Sequence, residues 1–384
     1  MLRALCLTMA LVLLHSGSAF AESGPDSNAN AALKYWQAFA TLPVFTDAEN
    51  QKIGDCLTTP LDDSARKILT NSKYSLTMMH YATAIPHCEW GITFEDGVYA
   101  RLPHASPARV LSSLACLRAR KRFEAGQNAE AIDDIVAAMT LGRQATKDGT
   151  LVVGLVGYAI DHRATEALSV YLPKLDAKTI KALKARVDAL PPFGSPSRAV
   201  IVTEKATIDW FIRKVKETKD EKSLLSFLKF VGISEGKDRE AGLAREAREF
   251  FQKCGGTAEG VLKFAEETRP FYENSAKLLD LPLDEFQKQF KAQSDKQAAN
   301  PVYKVFFPAL NHVRRSKAAA DVRSALFHAA IAVQLDGKDS LKDYPDPVVG
   351  GPFEYVAFQG GFGLRSTMKG PNDKPLSITV GSRN

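Results

Sequence analysis

Between residues 105 and 192 the chain repeats one device: an apolar-periodic stretch of helical length, a stop, then a fresh start. Ser106 caps and Pro107 takes the first position of a helix running to Ala125, since proline's fixed φ and missing N–H suit the first turn. Gly126 ends that helix, Asn128 caps a second from Ala129 to about Lys147, and Thr150 or Asp148 caps a third to about Leu172. Asp176 opens a fourth that reaches Leu190, where Pro191-Pro192 closes it by removing backbone donors. Connections this short fold successive helices into hairpins.

Helical signals also fill the flanks. In NAALKYWQAFATL, residues Leu33, Trp36, Phe39 and Ala40 share one face, and TDAE at 46–49 has the capping-box form that opens a helix. Asp62 to Ala84 supplies one long or two short helices, and less regular helices run from Ser197 to Leu335, with loops at 232–237 and 294–299. Pro308 either kinks the last of these or marks its start. Beyond it, PDPVVGGPFEYVAFQGGFGLRS reads as a rigid connector and two strands, Phe353–Phe358 and Phe362–Ser366, with a third at Leu376–Val380. A sheet this small must pack on the helices. The fold class expected is therefore mostly α: an irregular multi-helix bundle of solenoid-like hairpins with a small C-terminal antiparallel β unit. Four segments follow: a leader at 1–21, helical regions at 22–190 and 191–340, and the β unit at 341–384.

The leader carries one basic residue, Arg3, an apolar run from Ala4 to Leu14, and the small-residue ending Ala19-Phe20-Ala21. That pattern is a secretory signal cleaved after Ala21, which makes the protein exported, either periplasmic or extracellular. No later segment reaches the roughly 20 apolar residues of a membrane span. The formal charge is +6, or +5 once Arg3 is lost, and acids alternate with bases, as in KETKDEKS at 216–223. Without a single-sign block the sequence does not point to nucleic acid. Cys56, Cys88, Cys116 and Cys254 follow the leader, and an oxidising compartment permits disulfides. Chain proximity favours Cys56 with Cys88; the alternative for Cys116, set in an apolar helix face, is simple burial.

Chemistry has few footholds. GTLVVGLVGYAI spaces Gly149, Gly154 and Gly157 as GxxxxGxxG, without the lysine and hydroxyl of a phosphate loop or the spacing of a dinucleotide fingerprint. Gly154 and Gly157 are read instead as small residues on adjacent helical turns that admit a neighbouring backbone. Residues 86–104 lack a helical period and gather His87, Cys88, Glu89, Trp90, Glu95, Asp96, Tyr99, Arg101 and His104, with His80 upstream. Carboxylates in unlike surroundings can divide acid and base roles on a glycan or peptide bond, and histidines with a thiolate can hold zinc. The favoured reading is structural: Trp90 plugs the core, Glu95-Asp96-Gly97 turns, and Cys88 is bonded. No HExxH, CxxC or GxSxG occurs, so no complete catalytic signature is present. Asp161, His162, Arg163 and Glu166 form one charged turn, and His312-Val313-Arg314-Arg315 a second cluster; such clusters are usually surface charge or internal pairs. Phe353, Tyr355, Phe358 and Phe362 of the strands could recognise a glycan or a protein edge, but their alternation favours burial against the 301–335 helix.

In LRARKRFEAGQNAEAIDDIVAAMTLG, residues Ala119, Gly126, Ala131, Ile135 and Ala138 fall where a tetratricopeptide helix pair places small and apolar side chains. The match covers one unit. More broadly, the export signal, the CEWG, FEDG and LPH loop, the FEAGQNAEAIDD hairpin, the LVVGLVGYAI helix and the terminal DPVVGGPFEY and GGFGLRS resemble an uncharacterised group of secreted, mostly helical bacterial proteins. That resemblance implies architecture and no activity. The sequence thus predicts an exported helical scaffold or interaction protein, without cofactor or metal, whose partner is an unknown protein or cell-envelope component. The alternative is an extracytoplasmic hydrolase of cell-wall glycan or peptide, with Glu89, Glu95, Asp96, His104 and His162 as candidate catalytic residues.

Overall fold

Asn30 accepts from the Ala32 amide at 3.0 Å and starts α1 (Ala31–Ala40). The computed structural model describes residues 29–147, 149–231, 239–306, 309–370 and 373–382, so the leader expected at 1–21, the 232–237 loop and Pro308 lie outside the described residues. The capping box of Thr46 and Glu49 forms and opens α2 (Asp47–Gly54). The 62–84 stretch becomes two helices, α3 (Asp63–Asn71) and α4 (Lys73–Thr83). They part at Ser72, whose buried hydroxyl donates back to the Ile68 carbonyl at 2.8 Å. The inner face of α1 is not the one expected: Leu33 is 63% exposed, while Ala31, Tyr35 and Ala38 are fully buried. Alanines let α1 lie close on α4, and the buried Tyr35 hydroxyl is satisfied by Gln144 Oε1 at 2.5 Å, which a leucine-centred face would not achieve.

The repeated device yields α5 (Ala105–Glu124), α6 (Asn128–Ala145), α7 (Leu151–Ser169) and α8 (Ala177–Asp188). Thr150 and Asp176 cap α7 and α8, whereas Ser106 and Asn128 lie within first turns that no side chain caps. Ala119, Ala131, Ile135 and Ala138 are all buried in the α5–α6 hairpin, and Gly126 turns it with φ +75°. Of the two packing glycines, Gly157 fits the expectation. A Cβ there would lie 2.5 Å from the Gly142 carbonyl oxygen of α6, so α6 and α7 meet through small residues. Gly154 does not, for a Cβ there would meet nothing within 4 Å.

A second group of helices follows. The short α9 (Pro196–Ala199) continues through a π segment, Val200–Glu204, into α10 (Lys205–Glu217), then α11 (Glu221–Phe230) and α12 (Arg239–Lys253). Next come α13 (Ala258–Leu279), α14 (Leu283–Lys296), α15 (Pro301–Phe306) and the long α16 (Ala309–Asp336). The chain ends in an antiparallel sheet of order β1 (Glu354–Phe358), β2 (Gly361–Lys369) and β3 (Pro375–Val380), in register at Tyr355–Leu364 and Leu364–Ile378. Phe362, Leu364 and Met368 of β2 and Leu376, Ile378 and Val380 of β3 form a buried face, with β2 and β3 lying on α16. The fold is thus mostly helical with a small C-terminal sheet.

Among the described residues the buried apolar side chains form two cores. The first joins α1–α8 to the C-terminal half of α16 and the sheet; the second is built from α9–α15 with Leu151, Leu310 and Val313. The helix α16 therefore serves both, giving Leu310 and Val313 to one core and Val322, Leu326 and Ile331 to the other.

No disulfide joins Cys56, Cys88, Cys116 and Cys254, all of which are buried. The expected Cys56–Cys88 link is absent for a topological reason. Cys56 follows α2, which packs on α5, and its thiol meets Cys116. Cys88 belongs to the segment held against α1, beside Tyr35.

Candidate functional site

Three consecutive residues of α7 point three ways. Asp161 turns inward to Arg143, whose Nε lies 3.0 Å away; burial raises its carboxyl pKa and Arg143 only partly offsets this. Arg163 reaches α5, donating to Ser113 Oγ at 2.6 Å. His162 faces a cavity of about 430 Å³ with Glu166, one helical turn on, their Nε2 and Oε1 3.6 Å apart. Neither α7 nor any neighbour makes this cavity alone. Arg323 comes from α16, Arg120 from α5, and Ser377 and Thr379 from β3. The Gly381 amide donates to the Ser169 carbonyl at 3.0 Å, which ties the end of the sheet to the end of α7.

The cavity's charges are tuned by partial enclosure. Burial pushes the His162 imidazole down to about 4, helped by Arg323 and Arg163, so the ring is neutral at pH 7. Burial also raises the Glu166 carboxyl against the pull of the same two arginines. Arg323 feels Glu166 but forms no hydrogen bond or ion pair with any of the described residues. A half-buried guanidinium presents five donors in a fixed fork. This wall therefore offers unspent donors beside a neutral imidazole and two hydroxyls, a set suited to an oxyanion.

The 86–104 segment is ordered chiefly by its aromatic residues. Trp90 is 3% exposed, stacks on His104 at 4.7 Å and on Phe39 at 5.9 Å, and donates from Nε1 to the Gln144 carbonyl at 2.9 Å. His104 is buried by this stack, and burial pushes it down to about 4, opposed only in part by a backbone hydrogen bond with Ala145. Further along, Gly97 (φ +56°) lies directly on the Trp210 ring, and the Tyr99 hydroxyl donates to the Phe230 carbonyl at 2.5 Å. The segment is a strap pinned to the first core by Trp90 and to the second by Gly97 and Tyr99.

Its carboxylates stay outside. Glu95 and Asp96 are exposed, and the Glu95 carbonyl accepts from Arg213 at 2.8 Å. Glu89 is exposed, has its backbone clamped by Asn30, pairs with His87 at 3.8 Å, and borders a separate cavity of about 200 Å³ with Lys147 and Arg198. His80 is committed elsewhere, its Nε2 lying 2.8 Å from Asp134. Glu89, Glu95, Asp96, His104 and His162 are thus not brought to one place. In the second basic cluster, Arg314 donates to the Leu281 carbonyl at 2.7 Å. Among the described residues no three His, Cys, Asp or Glu side chains gather to hold a metal, and no helix is long and apolar enough to cross a membrane.

Sequence reasoning found His162 and Glu166 by their helical spacing but missed Arg120, Arg323, Ser377 and Thr379. Those four lie on three elements far apart in the chain, and no local pattern marks them. No family model, curated protein or solved structure matches the chain.

Proposed function

We propose that the chain is an exported helical scaffold or interaction protein whose cavity between α7, α16 and β3 receives a small partner bearing a carboxylate or phosphate. The observation that carries this reading is Arg323, a guanidinium in a cavity of about 430 Å³ with no hydrogen-bond or ion-pair partner among the described residues. A charge held partly out of water gains most from a ligand that supplies the missing partner. The leader supports export, and the tetratricopeptide-like pair α5–α6 supports a scaffold role as a packed hairpin, its small residues being spent on its own interior. The hydrolase alternative draws no support from this geometry, because its carboxylates and histidines face separate surroundings.

Thermal-shift and calorimetric titration with inorganic phosphate, a linear dicarboxylate and a hexose phosphate tests the reading. At least one should bind, and Arg323→Gln should weaken it on the order of tenfold to a hundredfold, the worth of one charge-assisted contact. Binding unchanged in Arg323→Gln, or no binding by the whole panel, overturns it. Turnover of cell-wall glycan or peptide that is lost in Glu89→Gln or Glu95→Gln would carry the hydrolase reading instead.

A further inference from the structure

Two thiols from distant parts of the chain meet behind the cavity. Cys56 and Cys116 are 0% and 1% exposed within one apolar core, near enough for each thiol to act on the other. Their approach is fixed by backbone contacts as well as packing: Arg120 Nη1 donates to the carbonyls of Cys56 and Thr59 at 2.6 and 3.1 Å, clamping the segment after α2 onto α5. The other two cysteines lie elsewhere, Cys88 beside Tyr35 and Cys254 within the second core.

We infer that Cys56 and Cys116 are a disulfide site, oxidised when the chain folds in the presence of a thiol-reactive disulfide donor such as glutathione disulfide or a protein disulfide oxidase. The exchange proceeds in two displacements. The Cys56 thiolate attacks one sulfur of the donor, forming a mixed disulfide and releasing the donor's other sulfur as a thiol. The Cys116 thiolate then attacks Cys56 Sγ and expels the second donor sulfur. The protons lost from Cys56 and Cys116 end on the two donor thiols; the cysteines are oxidised and the donor is reduced. Because both sulfurs are buried in the folded chain, exchange takes place before the segment after α2 closes on α5. Leu57 and Thr58, next in the chain, line the cavity, so the bond also fixes that wall. This last consequence rests on the ligand-binding reading, whereas the bond itself does not.

The test is peptide mapping of the full chain carrying Cys6→Ser, which removes the leader thiol, after refolding from the reduced state with glutathione disulfide. Alkylation without reductant should block Cys88 and Cys254 and leave a single cross-linked pair of peptides containing Cys56 and Cys116, lighter by two hydrogens than the reduced pair. Reduction should lower the Tm by about 5 °C, as expected for a bond that closes a long loop in a chain of this size. The cross-link should persist in Cys88→Ser. Recovery of Cys56 and Cys116 both alkylated, or of Cys56 linked to another cysteine, overturns the inference without bearing on whether phosphate binds.

Discussion

Glycine in a helix costs about 1 kcal/mol relative to alanine, so each helical glycine has to be justified by what a methyl group would meet. Gly154 and Gly157 lie one turn apart on α7 and give opposite answers. At Gly157 a Cβ would press on the Gly142 carbonyl at 2.5 Å, and neither backbone can yield without parting α6 from α7. At Gly154 the same atom would meet open space. Gly157→Ala should therefore destabilise by about 1–3 kcal/mol, the usual cost of overpacking, while Gly154→Ala should be neutral or stabilising by up to about 1 kcal/mol. Urea midpoints of the two variants at constant m check this, and equal effects of either sign would contradict the seam at Gly157. The sequence marked both glycines as small residues on one helix. Only the position of α6 separates them, and that is set by contacts distant in the chain.

At the scale of elements, the α5–α6 hairpin is fastened by charge as well as by alanine packing. Asp134 of α6 has a fully buried side chain and receives Arg118 at 2.5 Å, Arg122 at 2.6 Å and His80 of α4 at 2.8 Å. Burial alone would raise its pKa, but hydrogen bonds from His80 and Arg118 and the charges of both arginines hold it below 3.8. Removing one member of such a network leaves the other charges buried and unanswered. Asp134→Asn should cost about 3–5 kcal/mol, whereas the neighbouring Asp133→Asn, which loses a half-exposed pair with Arg186, should cost no more than about 1 kcal/mol. The pH dependence follows from the direction of the shift. A carboxylate depressed in the folded state contributes its stability above the unfolded value of 3.8 and loses it as pH falls through the lower folded one. Denaturation series at pH 7 and pH 3 should show the gap between wild type and Asp134→Asn narrowing at the acid end. The strap at 86–104 was legible in a similar way. Its aromatic anchor Trp90 and its turn before Gly97 could be read from residue types, while its attachment to Trp210 of α10 could not, because nothing local foretells that partner.

The molecule as a whole was legible where patterns are local and opaque where elements meet. The Gln-Gly-Gly and polar turns placed the three strands, and caps and prolines placed α7 and α8, to within a few residues. The cavity escaped because Arg120, Arg323 and Thr379 converge only after α16 crosses behind α7 and the sheet closes the side. Division into cores escaped for the same reason: α16 reads as one apolar-periodic segment, yet Val313 and Ala318 belong to different cores. That sharing makes α16 the coupling element of the fold. A continuous helix transmits the docking of one end to the other, so the two cores should unfold together, with coincident transitions by calorimetry and by tryptophan fluorescence from Trp90 in the first core and Trp210 in the second. Arg315 is exposed on α16 between the two sets of buried residues, so a change there acts through the backbone and spares the packing. Arg315→Pro should remove the ladder bond and cost about 3 kcal/mol. It should also separate the melting of the second core from that of the first, splitting one calorimetric peak into two. Two resolved peaks already present in the wild type would mean that α16 spans the cores without coupling them.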